Sequence, residues 1–361
     1  MTRGSSRARP GIAFAGWRQA DPHSGGRASA ETRSGPAEVR DYEKPIPDGL
    51  GSDFLCESVL LADAYRFAAA AHAGQRQELS GPYIEHPVAV ARLLHEAGFG
   101  DHVVAAGLLH DVVEHSDVDQ GAVVARFGPE VGALVDAMTE PAAIESFEAR
   151  KAAHRDAIAS RGEEAEAIFA ADKIVNASNL RAAIARLGQP AVEGRLSHPL
   201  DKKVEHYQAT LELLEHVAEG LTILPRLRRE LDRLADQRAS DEADRIANGA
   251  ADAINSLDAD RLVELSDTDV EWFPALTFGD RGGAYRGHAG VRRYVADVAR
   301  LWGSLRIGVR AVRRHSDEVV AICDIHAEGR ISRRALTQRA AIVYWVEGGK
   351  VVRARTYVDS R

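Results

Sequence analysis

Cysteine is scarce in this chain: Cys56 and Cys323 are the only two among 361 residues, and they do not form a CxxC spacing. This scarcity argues against a disulfide framework and against a thiolate zinc site. Apolar runs such as VVAAGLLH and AAIVYWV fall well short of the about 20 residues that a membrane-spanning helix needs. Residues 1–45 also lack the apolar segment of a secretory signal. We therefore expect a cytoplasmic protein without a membrane partner.

Positive charge is not in excess either. The chain has 46 Lys and Arg against 54 Asp and Glu, a formal net charge of -8. This balance predicts no nucleic-acid partner, and a polyanionic ligand would need a local positive centre. The length exceeds that of one ordinary domain, so two domains are expected.

The pattern of apolar residues changes twice along the chain. Residues 1–48 are rich in Gly, Ser, Pro, Ala and Arg without any apolar period, which predicts a disordered leader. Residues 49–235 repeat apolar positions at helical spacing, which predicts an all-α domain. Residues 241–361 begin with a helix pair and continue with period-two segments, and Gly348 and Gly349 stand between two of them as a hairpin signal. The fold prediction is therefore a multidomain protein, all-α and then α+β.

The stretch LLHDVVEHSD places ionisable side chains at the end of a helix that should be buried. An unpaired buried charge costs several kcal/mol, so His110 and Asp111 need a compensating partner. His86 and Asp172 lie at other apolar helices, and Asn176 follows Asp172 by one turn and could orient a ligand. Together these imidazoles and carboxylates form a donor set for Mn²⁺, Fe²⁺ or Zn²⁺. Taken singly, such a His is more often a turn residue and such an Asp more often salt-bridged.

The segments YIEHPVAVARLL, AAGLLHDVVEH, FGPEVGALVDAMTE and ADKIVNASNLR resemble the HD-domain phosphohydrolases, above all the hydrolase half of the RelA/SpoT alarmone enzymes. The resemblance covers residues 55–215 approximately. It implies one Mn²⁺ and removal of the 3′-pyrophosphate from (p)ppGpp, or a related nucleotide, by a metal-activated water. It implies that the metal ligands are His86, His110, Asp111 and Asp172. No segment resembles the synthetase half of those enzymes.

Further residues receive roles beside this ligand set. Glu114, on the same helix as the His-Asp doublet, is the candidate general base, and His115 can shuttle protons. Arg76 and Asn176 are assigned to the substrate. Tyr83 either stacks on a base or belongs to the core.

Two positions depart from the family pattern. His115 stands where the alarmone hydrolases usually carry an acidic residue, which is expected to lower activity or shift its pH. Gln77 and Glu78 replace a basic run, and Glu78 would repel a polyphosphate. The alternative is therefore a catalytically degenerate HD domain that still binds metal or nucleotide, coupled to a sensing or dimerising domain.

The segments ANGAADAINSLDADRLVELSDTDVEWFP, YRGHAGVRRYVADVARLW and KVVRARTYVD resemble a SnoaL-like domain of the nuclear-transport-factor-two-like superfamily. This resemblance implies an α+β cone with a pocket inside. His326 or Asp359 could act there as a general base; the alternative is a ligand-sensing or homodimerising module. The candidate lining residues are Trp272, Tyr285, His326, Tyr344, Trp345, Tyr357 and Asp359.

Overall fold

The computed structural model describes residues 53–141, 143–275 and 283–358, so the predicted leader at 1–48 lies outside the described residues. The first half is helical, as predicted. Its elements are a 3-10 helix at Asp53–Cys56 and the helices α1 (Val59–Ala71), α2 (Glu85–Glu96), α3 (Asp101–Leu109), α4 (Val112–His115), α5 (Gln120–Met138), α6 (Phe147–Ile158), α7 (Glu163–Leu187), α8 (Gln189–Glu193) and α9 (Leu200–Val217).

Helix α7 is the central element of this half. It begins after Gly162 with three glutamates in its first turn, which suit the positive end of the helix dipole, and it ends at Gly188, whose φ is 79°. Every residue from Ala165 to Val175 is buried, including Asp172. Helices α2, α3, α5, α6 and α9 all pack against it. A charged residue in this stretch therefore has to find its partners inside the domain.

Helices α2 and α3 form a hairpin that turns at Gly98, where φ is 84°. They approach closely at Gly107, where an added Cβ would lie 2.6 Å from Leu94 Cδ1. The start of α2 and the end of α3 therefore meet at one end of the hairpin. This places His86 beside His110.

The second half forms one mixed sheet. Its elements are α11 (Ala259–Glu264), β1 (Ser266–Phe273), β2 (Tyr285–Arg286), α12 (Gly287–Leu301), β3 (Trp302–His315), β4 (Glu318–Gly329), β5 (Ala335–Glu347) and β6 (Lys350–Val358). The strand order is β2-β1-β6-β5-β4-β3, and only the β1–β6 pair of this sheet is parallel. Gly348 and Gly349 both have positive φ and turn β5 into β6, with Glu347 opposite Lys350. The predicted hairpin is confirmed.

Helix α10 (Leu224–Ser256) connects the two halves. Its beginning, with Leu227 and Leu234, belongs to the helical core. Its end, with Ile246 and Ile254, belongs to the core under the sheet. The predicted boundary at residues 236–240 thus falls inside a continuous helix. None of the described helices has the length and apolar character required to cross a membrane.

Candidate metal centre

Two imidazoles and one carboxylate converge where α2, α3 and α7 meet. His86 Nε2 lies 3.3 Å from His110 Nε2 and 3.2 Å from Asp172 Oδ1, and His110 Nε2 lies 3.9 Å from the same oxygen. All three residues are buried. Asp111 reaches the same point from the end of α3, with Oδ1 3.3 Å from His110 Nε2 and Oδ2 3.6 Å from His86 Nε2.

These separations suit a single divalent cation. Ligand bonds of about 2.1 Å hold donor atoms between about 3.0 Å apart at adjacent positions and about 4.2 Å apart at opposite ones. His110 Nδ1 lies 2.9 Å from the carbonyl oxygen of Gly107, which can only accept a hydrogen bond. In the neutral imidazole the proton is therefore on Nδ1, and the Nε2 lone pair points at the shared centre. The donor set and its orientation fit a metal ion.

The carboxylates of Asp111 and Asp172 are positioned by further polar side chains. Asp172 Oδ2 pairs with Lys173 Nζ at 2.5 Å, and Asn176 Nδ2 donates to Asp172 Oδ1 at 2.6 Å. Tyr83 Oη donates to Asp111 Oδ2 at 2.7 Å. Such outer contacts fix the direction in which a ligand oxygen points.

The local charges also match a cation site. Burial opposes ionisation of Asp172, but Lys173 and His86 hold the pKa of this carboxyl well below its usual value. Burial likewise opposes charge on Asp111, and His110 and His86 lower its pKa. Burial disfavours a charged His86, yet the Asp172 and Asp111 carboxylates raise its pKa. Negative charge is therefore maintained at the centre and attracts positive charge.

A cavity of about 430 Å³ opens above this centre. Its wall includes basic side chains that the sequence patterns did not single out, namely Arg150 and Lys151 on α6 and Lys203 on α9. They lie on polar faces of their helices. From sequence spacing alone, a basic residue that faces a cavity cannot be distinguished from one that faces solvent. A missed acidic residue, Glu140, pairs with Lys151 and, at 2.9 Å, with Arg150.

The two candidate catalytic residues lie on short helix α4, and both line the cavity. Burial, with help from the negative charge of Glu140, raises the pKa of Glu114. His115 Nε2 lies 3.8 Å from Glu114 Oε1. Gln75 Nε2 donates to the carbonyl oxygen of His115 at 2.6 Å and so fixes the backbone there.

The candidate substrate residues have different positions. Asn176 and Tyr83 line the cavity, and each donates a hydrogen bond to a carboxylate of the candidate metal site. Tyr83 also lies against His72, with ring centroids 4.6 Å apart. Arg76 is exposed, hydrogen-bonds weakly to the carbonyl of Ser80 at 3.5 Å, and is not among the residues that line the cavity.

The candidate pocket residues of the second half do not share one place. Trp272, Tyr285 and Tyr344 are buried in the core between sheet and helices. His326 and Tyr357 are exposed. They and the half-buried Trp345 lie on the opposite sheet face. Ile325 and Tyr344, which precede His326 and Trp345, are buried, and Tyr357 pairs with Ala341, which lies between the buried Ala340 and Ile342. Asp359 lies outside the described residues.

Comparison with known proteins gives the class. A model of the HD domain matches residues 64–184, and a model of the SnoaL-like domain matches residues 247–354. The chain thus carries an HD domain followed by a SnoaL-like domain, as the two sequence resemblances predict.

Individual relatives narrow the class. Guanosine-3′,5′-bis(diphosphate) 3′-pyrophosphohydrolase MESH1 from Homo sapiens is 38% identical over 128 residues, 34% of this chain and 71% of that protein. A probable guanosine-3′,5′-bis(diphosphate) 3′-pyrophosphohydrolase from Synechocystis is 46% identical over 102 residues, 28% of this chain and only 13% of that protein. A solved structure of a metazoan SpoT orthologue, described as hydrolysing ppGpp, is 25% identical with a TM-score of 0.41, covering 50% of this chain and 96% of that one. The chain belongs to the HD-domain family that includes MESH1.

Proposed function

We propose that this chain is a metal-dependent phosphohydrolase that removes pyrophosphate from the 3′ position of (p)ppGpp or a related nucleotide. The observation that carries the proposal is the meeting of His86, His110 and Asp172 within 3.9 Å of one another at the base of a cavity edged with basic side chains. The activity named for MESH1, of which this chain covers 71%, supports the same reaction.

The metal we propose is one Mn²⁺, with Fe²⁺ or Zn²⁺ as alternatives. His86, His110, Asp111 and Asp172 would hold it. A cation there lowers the pKa of the attacking water and offsets negative charge on the phosphorus group. Lys173 and Asn176 keep the Asp172 oxygens in place, and Tyr83 does the same for Asp111.

Glu114 is the proposed proton acceptor. It lines the cavity, and its raised pKa brings the carboxylate closer to the range in which a general base both takes and releases a proton near neutral pH. His115 is partly open to solvent and close to Glu114, so its imidazole can pass that proton outward.

Arg150, Lys151 and Lys173 are the proposed contacts for the reacting phosphates. All three line the cavity, Arg150 and Lys151 from α6 and Lys173 from α7. Charge-assisted hydrogen bonds from these groups would hold the pyrophosphate while its bond to the nucleoside breaks.

The test is release of pyrophosphate from ppGpp by the purified full chain with added Mn²⁺. We expect His86→Ala to lose activity together with Mn²⁺ binding. His102→Ala is the matched control, because His102 pairs with Glu164 at 2.8 Å on the surface. Mn²⁺ binding by the wild type without cleavage of ppGpp or any other nucleotide on a panel would remove the hydrolase proposal.

The alternative is a degenerate HD domain that binds metal or nucleotide without turnover. His115 and Glu78, which replace an acidic and a basic residue of the family pattern, are the observations that favour it. Catalysis in the second domain has less support, because His326 and Tyr357 lie on the sheet face away from the buried aromatic residues.

The remaining proposals concern the second domain and the cellular compartment. We propose that the SnoaL-like domain binds a ligand or forms a homodimer, and that the protein works in the cytoplasm. The scarcity of cysteine supports a reducing compartment. Gel filtration with light scattering tests the dimer.

A further inference from the structure

Helix α7 runs along the cavity, so its residues mark two ends of it. Asp172 lies at the metal end, and Asn179, seven residues later on the same helix, also lines the cavity. A rise of 1.5 Å per residue separates these two positions by about 10 Å along the helix axis. A nucleotide whose reacting phosphate lies at the metal centre has room to extend along α7 towards Asn179.

This far end is built by the loop that follows α1. Gln77 Oε1 accepts a hydrogen bond from Asn179 Nδ2 at 3.0 Å. Glu78 Oε1 accepts one from the backbone N–H of Ser197 at 3.0 Å, and Glu78 Oε2 pairs with Lys203 Nζ at 3.0 Å. Three separate parts of the chain are thus fastened together at this point, and all five residues line the cavity.

The ion pair determines the charge that a ligand meets there. Lys203 is a basic side chain at this end of the cavity, and Glu78 already neutralises it. Burial opposes charge on Glu78, yet Ser197 and Lys203 keep the pKa of its carboxyl below the usual value, so it is ionised at neutral pH. A phosphate would meet a carboxylate and an occupied cation, whereas an uncharged group would meet the amides of Gln77 and Asn179.

We propose that Glu78 is a specificity-determining residue that disfavours phosphates at the far end of the cavity. The preferred substrates are then nucleotides with a 3′-pyrophosphate and little or no phosphate at the 5′ position. This inference rests on the proposed function, because it takes the 3′-pyrophosphate to be the group at the metal centre.

The experiment compares three guanosine 3′-diphosphates that carry a 5′-hydroxyl, a 5′-monophosphate or a 5′-diphosphate. For the wild type with Mn²⁺ we expect kcat/KM to fall by about fivefold from the 5′-hydroxyl to the 5′-diphosphate, the size expected of a partly exposed charge pair. In Glu78→Gln the three substrates should have similar kcat/KM values. In Lys203→Met the fall in kcat/KM from the 5′-hydroxyl to the 5′-diphosphate should be larger than in the wild type, because Glu78 then stands without its cation. Glu205→Gln is the matched control, since it removes one carboxylate from the exposed side of α9, where Glu205 pairs with Lys202.

Two outcomes would overturn the proposal while leaving the hydrolase intact. One is equal or rising kcat/KM towards the 5′-diphosphate in the wild type. The other is a Glu78→Gln variant that changes the preference between guanosine and adenosine substrates but not the dependence on 5′ charge, since Glu78 would then contact the base. Equilibrium binding of the same three nucleotides without added metal reports the ranking independently of turnover. A chain that cleaves none of them would thus lose the proposed function and still test Glu78.

Discussion

Replacing Tyr83 by Phe tests whether the contact behind Asp111 sets the metal affinity. The substitution removes only the hydroxyl that donates to Asp111 Oδ2 at 2.7 Å. The Asp111 side chain is 15% exposed, so water replaces the lost donor only in part. The ring remains, and with it the contact with His72 and any stacking on a nucleotide base.

Two independent estimates give the size of the effect. A hydrogen bond to a charged group contributes about 1.5–3 kcal/mol. Loss of a partner behind a metal ligand usually weakens metal binding about 10- to 100-fold, which corresponds to about 1.4–2.7 kcal/mol. Because the two ranges agree, we expect the Kd for Mn²⁺ to rise about 10- to 100-fold in Tyr83→Phe. The KM for nucleotide at saturating Mn²⁺ should change little.

The assay is a Mn²⁺ titration followed by calorimetry or by the electron paramagnetic resonance signal of the free ion. Tyr65→Phe is the control, because Tyr65 is also a buried tyrosine of the helical domain and is not among the residues that line the cavity. An unchanged Mn²⁺ affinity together with a raised nucleotide KM would refute the reasoning, since the hydroxyl would then serve the substrate and not Asp111.

Three further predictions concern the wall of the cavity. Glu114→Gln should lower kcat about 10²- to 10⁴-fold with Mn²⁺ binding retained, and a kcat close to that of the wild type would exclude Glu114 as the general base. His115→Asp should leave kcat within a few fold if the native imidazole is competent; a large gain of pyrophosphate release would instead support a degenerate site. Although burial favours the neutral form, Lys151 and Arg150 lower the pKa of Glu140, so its ionised form stabilises the fold above the unfolded pKa of about 4.3, and this contribution disappears as pH falls through the lower folded value. The difference in unfolding free energy between wild type and Glu140→Gln, measured by urea denaturation, should therefore be about 1–3 kcal/mol at pH 7 and shrink on acidification; a difference that does not vary with pH would contradict it.

The candidate metal centre could be predicted from sequence because its residues break a strong pattern. His110 follows a helix in which Val103 to Leu109 are all buried, and Asp172 is an ionisable residue within the fully buried part of α7. A charge in such a run has no solvent to face, so its partners must come from other buried charges. The sequence shows both exceptions, although it gives no distance between them.

Helix α10 was not accessible in the same way. Its middle, DQRASDEADR, carries no apolar stripe, so the apolar period gives no sign that the helix continues there and the domain boundary was placed at residues 236–240. The ends of the helix are fixed by two different cores, through Leu234 on one side and Ala243 on the other. Helix-forming residues between two anchored turns continue the helix without burial of their own.

The α+β fold of the second domain was predicted correctly, but His326 and Tyr357 were assigned to the wrong face of its sheet. Ala321, Cys323 and Ile325 alternate as buried residues of β4, so His326 must face away from the core. Tyr357 pairs with Ala341, which lies between the buried Ala340 and Ile342 and therefore faces the same way. Counting residues from the apolar positions would have separated His326 from Trp272 and Tyr344. For Tyr357 the count from the buried Val351 gives the wrong face, because the β5–β6 register shifts between Trp345 and Val346.

The far end of the cavity depends on a pairing that sequence spacing does not reveal. Glu78 taken alone would simply repel phosphate, but its partner Lys203 is 125 residues away along the chain. Lys203 offsets part of the repulsion that Glu78 alone would cause, but a phosphate at this end still has to compete with the Glu78 carboxylate for that ammonium group. Glu140 holds Arg150 and Lys151 in the same manner nearer the metal centre. Phosphate binding there requires these cations to exchange one anion for another, and the proposed metal ion would add positive charge for the reacting group.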